Sequence, residues 1–534
     1  MKYVITEFDK SLLLQTEVNY KYRLYVLDKD ENIVDMIEGL RSIGSYNIDA
    51  ESTIRRTTSF ILELDSTYSS THVEEKIETW IGYDFKMQIG VYSIRDDEYI
   101  WYECGTYSIT AVNTSYDATT NSLSTELGDW FIKLDGTRNG QIGGAPTILI
   151  PIEDESGIIT LRQATIDILR DNGIKKYIIQ DLGEFYGIPT YNPDYLEYRK
   201  NYPNWNQLPY ELEYSSGCMV SDILIDIRDL YPNYEMHYDV FNNFCFNVVP
   251  SCENDIVTVT NDFLQQIIVG EGSENVSYDI NSIKNITEVF GKVYDVDRFC
   301  DEGVTVSSNV YNIPFDGYDE EKYERGDIIA FTAPSDSLAS PRLRINELTA
   351  IPVYIEGKTE YIKAGTLKAN ELYCFKIVYR DKEPVADFLG SYQPHAICVL
   401  TNNENDPVYT KEYFEKKYNC DHVVFRVEEY NPFSVQKLGE ILDVKSGDEF
   451  DNILSDSVAL ENAIYYNKKS STFNDIVTIT TTMIPWLDVN IKVSYRKQQE
   501  TETHEYIVKS ISNDLENNTS NIVLHRFYPL YFVE

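Results

Sequence analysis

The stretch Tyr506–Tyr531, YIVKSISNDLENNTSNIVLHRFYPLY, reads as two strands around a polar turn. Its Tyr, Ile, Val and Thr residues suit half-buried strands, and the Asn- and Asp-rich middle suits a turn. A closely similar stretch occurs much earlier, from Tyr107: YSITAVNTSYDATTNSLSTEL. Laid together without a gap, Tyr107 meets Tyr506, Ile109 meets Val508 and Val112 meets Ile511. Further on, Tyr116 meets Leu515, Asp117 meets Glu516, Thr120 meets Thr519 and Leu123 meets Ile522.

The likeness extends upstream. Tyr83-Asp84-Phe85-Lys86-Met87-Gln88-Ile89 lies on Leu487-Asp488-Val489-Asn490-Ile491-Lys492-Val493, again without a gap. Both copies run strand, charged loop, strand, turn, strand. Alternating strands resemble one another by chance, so the weight rests on the shared order, which points to an internal duplication.

A chain of 534 residues corresponds to about three to four domains. Hydrophobic residues make up 43%, enough for real cores and against wholesale disorder. No apolar run approaches the roughly 20 residues of a membrane helix, so membrane insertion is not expected. The start, MKYVITEFDKSLLLQTE, lacks a continuous apolar segment and carries Glu7 and Asp9, unlike a signal peptide. Synthesis in a cytoplasm without export by the usual route is the expectation. Eight cysteines (Cys104, Cys218, Cys245, Cys252, Cys300, Cys374, Cys398 and Cys420) form no CxxC pair. They read as reduced, mostly buried small hydrophobes.

Lys and Arg number 46 against 87 Asp and Glu, a net charge of −41. Such a surface repels nucleic acid and anionic lipid, since phosphate binding depends on neutralisation by Lys and Arg. The acids are spread along the chain, which by charge alone favours solubility over the sharper reading of a surface that DNA can pass without sticking.

Residues 1–134 read as an antiparallel barrel or sandwich. In Asn19–Asp28, Tyr20, Tyr22, Leu24 and Val26 alternate with Lys21, Arg23 and Tyr25. A short helical piece is expected at 71–83, with Val73, Ile77 and Ile81 four apart. The character changes at KLDGTRNGQIGGAP, a loop with four glycines and a proline. Residues 135–255 read as α+β: a helix ending at Gly173, another with Met219, Val220, Ile223, Leu224 and Ile227 on one face, then a hairpin. Strands return over 256–334, the expected first part of a second barrel. A β-rich inserted domain is expected over 335–450. The span 451–534 supplies a helix, which Ser455 or Ser457 can cap, and closing strands.

No chemistry stands out. The histidines (His72, His237, His395, His422, His504 and His525) form no HxH, HExxH or His/Cys cluster, so no metal site is expected. GEGSEN, with Gly270 and Gly272, and RNGQIGG lack the remaining residues of a phosphate cradle. No GxSxG elbow appears. Asp96 and Asp97 could be an acid and base of a glycosidase, though pairs of acids are unavoidable in so acidic a chain. Aromatics around Trp205 (YPNWNQLPY) could stack on sugars or anchor a protein interface. No catalytic, cofactor or metal residue is assigned, and no enzyme is expected.

Several segments in order resemble the distal-tail baseplate hub family of long-tailed bacteriophages. They are IRRTTSFILEL, LGDWFIKLDGTRNGQIGG, LPYELEYSSGCMVSDILIDI, NYEMHYDVFNNFCFNVVP, AGTLKANELYCFKIVY, LSDSVALENAIYY, MIPWLDVNIKVSY and YIVKSISNDL…HRFYPLY. The resemblance implies a mainly β fold with α+β insertions: two tail-tube-like antiparallel β-barrels per chain plus inserted domains. It implies a homotrimer whose six barrels join a sixfold tail tube to a threefold tip around a DNA channel. Its implied partners are the tail tube or distal tail protein, the tape-measure protein and tail-tip or spike proteins, without specific nucleic-acid binding. The implied location is the virion tail baseplate. Some relatives carry a cell-wall-cleaving domain after the hub; none is expected behind this second hairpin. A glycan-binding adhesin or a cell-wall glycosidase of the tail tip is the alternative.

Overall fold

A computed structural model describes residues 4–37, 42–63, 80–116, 121–144, 146–149, 153–154, 157–158, 161–179, 208, 212–230, 234–249, 257–270, 274–300, 302–315, 322–356, 359–380, 382–447, 450–472 and 474–526. The helical piece expected at 71–83, the Trp205 cluster, Cys252, Gly272 and the closing residues 527–534 fall largely or wholly outside these.

The described chain is mainly β, with several sheets. The largest has twelve strands. In chain order they are β1 (Tyr20–Leu27), β2 (Ile33–Ile37), β3 (Ser42–Asp49), β4 (Arg56–Glu63), β5 (Asp84–Ser93), β6 (Glu98–Tyr116), β7 (Asn121–Asp129), β8 (Glu274–Tyr278), β9 (Asp475–Thr482), β10 (Lys492–Tyr495), β11 (His504–Asp514) and β12 (Thr519–Arg526). Their spatial order is β8-β9-β12-β11-β3-β4-β7-β6-β5-β1-β2, with β10 also paired to β11. The alternation read from the sequence holds through most of β1: Leu24 and Val26 are buried and Lys21, Arg23 and Tyr25 are less so, while Leu27 at its end is buried as well.

The repeat is a five-stranded unit. In the first copy the order is β3-β4-β7-β6-β5, and in the second β8-β9-β12-β11-β10. Equivalences follow from the ladders. Tyr107 pairs with Asp129 and Tyr506 with Arg526. Phe60 lies opposite Thr125, as Ile479 lies opposite Ile522. Both long hairpins also carry a β-bulge at the same place. One register shift falls between Ile109 and Ala111, the other between Val508 and Ser510. A bulge bends its strand and is not produced by apolar alternation alone, so its recurrence is a stronger sign of duplication than sequence identity.

The ladders also correct the gapless alignments. On the return strand Thr125, not Leu123, is the counterpart of Ile522, because Val112 pairs with Thr125 and Ile511 with Ile522. The first hairpin has one extra pair, Tyr116 with Asn121, at its tip. Upstream, Phe85, not Ile89, is the counterpart of Val493, since each lies opposite its tyrosine, Tyr107 or Tyr506. Both slips are by an even number of residues. A strand repeats its faces every second residue, so such a slip leaves the buried pattern unchanged and invisible to pattern matching.

The two units share one core. Phe60, Phe85, Tyr107 and Ile109 from the first lie in the same cluster as Val477, Val493, Tyr506 and Val508 from the second. The helix Asn261–Ile267 adds Phe263, Leu264 and Ile267 to it.

A second core joins the α+β part to the chain's late helix. The helices Leu161–Asp171 and Val220–Asp229 bury Ile168, Leu169, Ile223, Leu224 and Ile227 near the three-stranded sheet of Tyr177–Ile179, Phe244–Val248 and Tyr234–Tyr238. The helix Asp456–Ser470, capped by Ser455 through the Val458 amide at 3.4 Å, contributes Val458, Ala459 and Ala463. It lies on the four-stranded sheet of Ile286–Phe290, His395–Thr401, Val423–Val427 and Leu442–Lys445.

An eight-stranded sheet with its own core draws its strands from residues 298–391. Of the described strands between 256 and 334, only β8 enters the large sheet. Ile286–Phe290 pairs with His395–Thr401, and those from Arg298 onward pair within the eight-stranded sheet.

Candidate functional site

The feature that organises the molecule is the joint between the two units. The free edge of β3 lies antiparallel to the second half of β11, with Ser45 opposite Asp514, Asn47 opposite Ser512, Ile48 opposite Ile511 and Asp49 opposite Ser510. The first half of the same β11 edge is taken by β10. The ladder is prolonged by Ala50 N–H donating to Lys509 O at 2.9 Å. Inward-facing Tyr46, Ile48 and Ile511 are buried. On the outer face Ser512 Oγ donates to Asn47 Oδ1 at 2.7 Å.

Charges lock this joint from behind. Arg56, at the start of β4, is fully buried. Its Nη2 reaches both oxygens of Asp488 at 2.7 and 2.6 Å, and its Nη1 donates to the Tyr238 carbonyl. Arg55 pairs with Glu235 at 2.8 Å, and Asn490 Nδ2 also donates to Glu235. Burial works against the Arg56 charge, but Asp488 and the other acids and phenols around it hold its pKa above the ordinary value. Arginine suits this role, because its planar guanidinium can serve a carboxylate with one nitrogen and a carbonyl with another and stays charged when buried. The cluster ties β4, the strand Tyr234–Tyr238 and the turn before β10 together. Arg55 and Arg56 stand in the IRRTTSFILEL segment, but nothing in the sequence pairs them with Glu235 and Asp488. The available signal was a pair of adjacent arginines opening a strand in a chain so poor in basic residues.

The residues weighed for chemistry do not assemble into a site. Asp96 and Asp97 sit in the β5–β6 turn, where Asp96 accepts from Ser93 Oγ at 2.8 Å and Asp97 from the Tyr92 hydroxyl. Their carboxylates serve the turn and do not face one another across a cleft. In RNGQIGG, a Cβ on Gly140 would lie 2.3 Å from the Leu134 carbonyl oxygen, so this glycine allows a tight loop. The seven cysteines among the described residues form no disulfide with one another, and six of them are buried. No group of three or more metal-ligating side chains occurs among the described residues.

A cleft of about 320 Å³ is lined by His395, His422, Ser391 and Tyr418, among others. Here His422 Nε2 lies 3.4 Å from Asp456 Oδ2 and Ser391 Oγ donates to the same carboxylate at 2.6 Å. His395 Nε2 bonds to Glu288 at 2.8 Å. Ser391 therefore has Asp456, not a histidine, as its acceptor, which is not the arrangement of an activated nucleophile.

The His422–Asp456 pair does predict a pH dependence. The bond to Asp456 raises the His422 pKa against the opposing effect of burial. Burial pushes Asp456 up, yet the bonds from His422 and Ser391 leave it lowered. A raised histidine stabilises the fold fully below its ordinary value of 6.5 and loses that contribution as pH rises through the folded value. A lowered carboxylate contributes above 3.8 and loses it as pH falls through its folded value. The difference in Tm between the wild type and His422→Gln is thus expected to be largest near pH 5–6 and to shrink as pH rises above 6.5 through the folded value of His422. A difference that stays flat across that range would show that the pair is not ionic.

Comparison with known proteins gives a local family match and distant structural likenesses. A family described as a domain of unknown function, DUF5048, matches residues 430–531, which hold the late helix and β9–β12. No curated protein matches. The 43 kDa tail protein of prophage MuSo2 from Shewanella oneidensis is similar at 10% identity and a TM-score of 0.43, covering 95% of this chain and 98% of that one. A tail protein from Neisseria meningitidis MC58 is similar at 9% identity and a TM-score of 0.42, with coverage of 95% and 98%. A prophage tail protein from Listeria monocytogenes EGD-e follows at 10% and 0.38, covering 94% of each chain. Likenesses this loose carry no argument about function.

Proposed function

We propose that this chain is a structural component of a bacteriophage tail tip, a baseplate hub in which three copies join a sixfold tail tube to a threefold tip. The observation that carries the reading is the repeated five-stranded unit, joined edge to edge within one chain. A protein with two equivalent units per chain can present six quasi-equivalent units from three copies, which reconciles the two symmetries. In this reading each unit belongs to one tail-tube-like barrel, and the remaining sheets and helices are insertions between or beside the two barrels. The ordered sequence resemblance across the chain supports the same conclusion.

The net charge of −41 fits a ring through which DNA slides, because an acidic wall repels phosphate. The partners in this reading are the tail tube or distal tail protein, the tape-measure protein and tail-tip or spike proteins. The location is the virion baseplate, and the role is not enzymatic. The glycosidase alternative rested on Asp96 and Asp97, whose carboxylates are engaged in a hairpin turn. The adhesin alternative rested on the Trp205 aromatics, which lie outside the described residues.

The test is mass photometry and electron microscopy of the full-length protein, alone and with the tail-tube protein of the same phage. The expected result is rings of three copies that stack on tube. A strictly monomeric protein without affinity for any tail component would falsify the proposal.

A further inference from the structure

We propose that the outer edge of β8 in one copy pairs antiparallel with the second half of β6 in another copy, in a register that the chain's own internal joint dictates. The inference deepens the hub reading and takes from it only the number of copies.

The argument starts from counterparts. In the first unit β3 flanks β4; in the second β8 flanks β9. Tyr46 lies opposite Thr58, as Val276 lies opposite Val477, and Ile48 opposite Arg56, as Tyr278 opposite Asp475. The match continues past the strand: Asp49 N–H donates to Arg55 O, and Asp279 N–H to Asn474 O. So Ser45-Tyr46-Asn47-Ile48-Asp49 corresponds to Asn275-Val276-Ser277-Tyr278-Asp279, with the same polar–apolar alternation and the same terminal Asp.

Within the chain, the first of these segments covers the second half of β11. The counterpart of that half-strand is Ala111–Ser115 in β6, set by the shared tyrosine and bulge. Among the described residues, β6 pairs with β5 only as far as Tyr107, so beyond the bulge its only strand partner is β7. The outer edge of β8 is likewise unpaired among the described residues. Burial marks both as an opened joint. Tyr46, Ile48 and Ile511 are 2%, 1% and 2% exposed, whereas Tyr278 is 48% exposed, Val276 and Val112 are half-buried, and the next residue, Ile280, is 68% exposed.

Unpaired strand edges invite a further strand, and this chain carries both complementary edges. The two lie on different units, so one copy's β8 meets the next copy's β6, a head-to-tail contact that repeats around a ring. Transferring the internal register places Tyr278 opposite Val112 of the second copy, Ser277 opposite Asn113 and Asp279 opposite Ala111. Asn113 and Ser277 are both exposed, as the outer-face pair Asn47 and Ser512 requires of its counterparts.

The test uses full-length Ser277→Cys/Asn113→Cys, each single variant, and Asn47→Cys/Ser512→Cys as an intrachain reference, under mild oxidation. Cross-strand partners lie within disulfide reach. The expected result is a reducible ladder of linked copies from the double variant and none from the singles, while the reference closes without changing mass. In parallel, Tyr278→Asp is expected to weaken self-association at least tenfold by mass photometry, with the far-UV spectrum unchanged. Linked copies together with the tenfold loss support the pairing. Closure of the reference without intermolecular links, or association unaffected by Tyr278→Asp, overturns it. Rings that form without these links would leave the hub reading standing, whereas linked rings that ignore every tail protein would overturn that reading and leave the pairing in place.

Discussion

Replacing Arg56 by methionine is expected to destabilise the protein by about 3–5 kcal/mol, the usual cost of removing one partner from a buried ion pair. The guanidinium is buried, and the Asp488 side chain it meets is only 14% exposed. Without Arg56 that carboxylate keeps the Val489 amide at 2.8 Å but loses its countercharge, and the Tyr238 carbonyl loses the Nη1 donor. Most of the penalty is the charge left behind, so Arg56→Met/Asp488→Leu is expected to recover much of it. Urea unfolding of the wild type and both variants measures this, and hydrogen exchange at Tyr46–Asp49 reports whether the loss concentrates at the joint. A loss below about 1 kcal/mol, the range of exposed pairs, would mean that the cluster does not hold the two units together.

Phe85→Ala is expected to cost a further large amount, about 3–5 kcal/mol. Phe85 is fully buried and its ring stands 6.0 Å from Phe60 and 5.9 Å from Trp80, the latter edge-on. Truncation removes one corner of a triangle of rings, in which Phe60 and Trp80 also meet at 6.2 Å, that connects β4 and β5 in a core shared with the second unit. The cost combines lost burial with a cavity that sheet backbones cannot close. Thermal unfolding measures it. A stability within about 1 kcal/mol of wild type would show that neighbouring side chains can collapse into the space.

The duplication was legible because aromatic and β-branched residues recur in the same order, and the strands were legible from period-two alternation. The bulge left a trace that went unread: Ile109 and Val112, like Val508 and Ile511, are three apart where strict alternation needs two or four. The alignment errors were both even slips, to which alternation is blind. The edge-to-edge joint could not be read at all. Asn47 and Ser512, which meet across it, are 465 positions apart, and face patterns say nothing about which edge meets which. The family resemblance implies two barrels; the described strands of both repeats lie in one sheet. The arginine cluster was hidden for a similar reason: its acids, Glu235 and Asp488, come from segments far away in the chain.

The internal joint has a consequence for assembly kinetics. Its two edges belong to one polypeptide, so they meet at an effective concentration on the order of millimolar, whatever the protein's abundance. The matching edges on separate copies meet only by diffusion. Dilution should therefore open one class of joint and spare the other, and the proposed ring of three copies would form in two bimolecular encounters where six separate chains would need five.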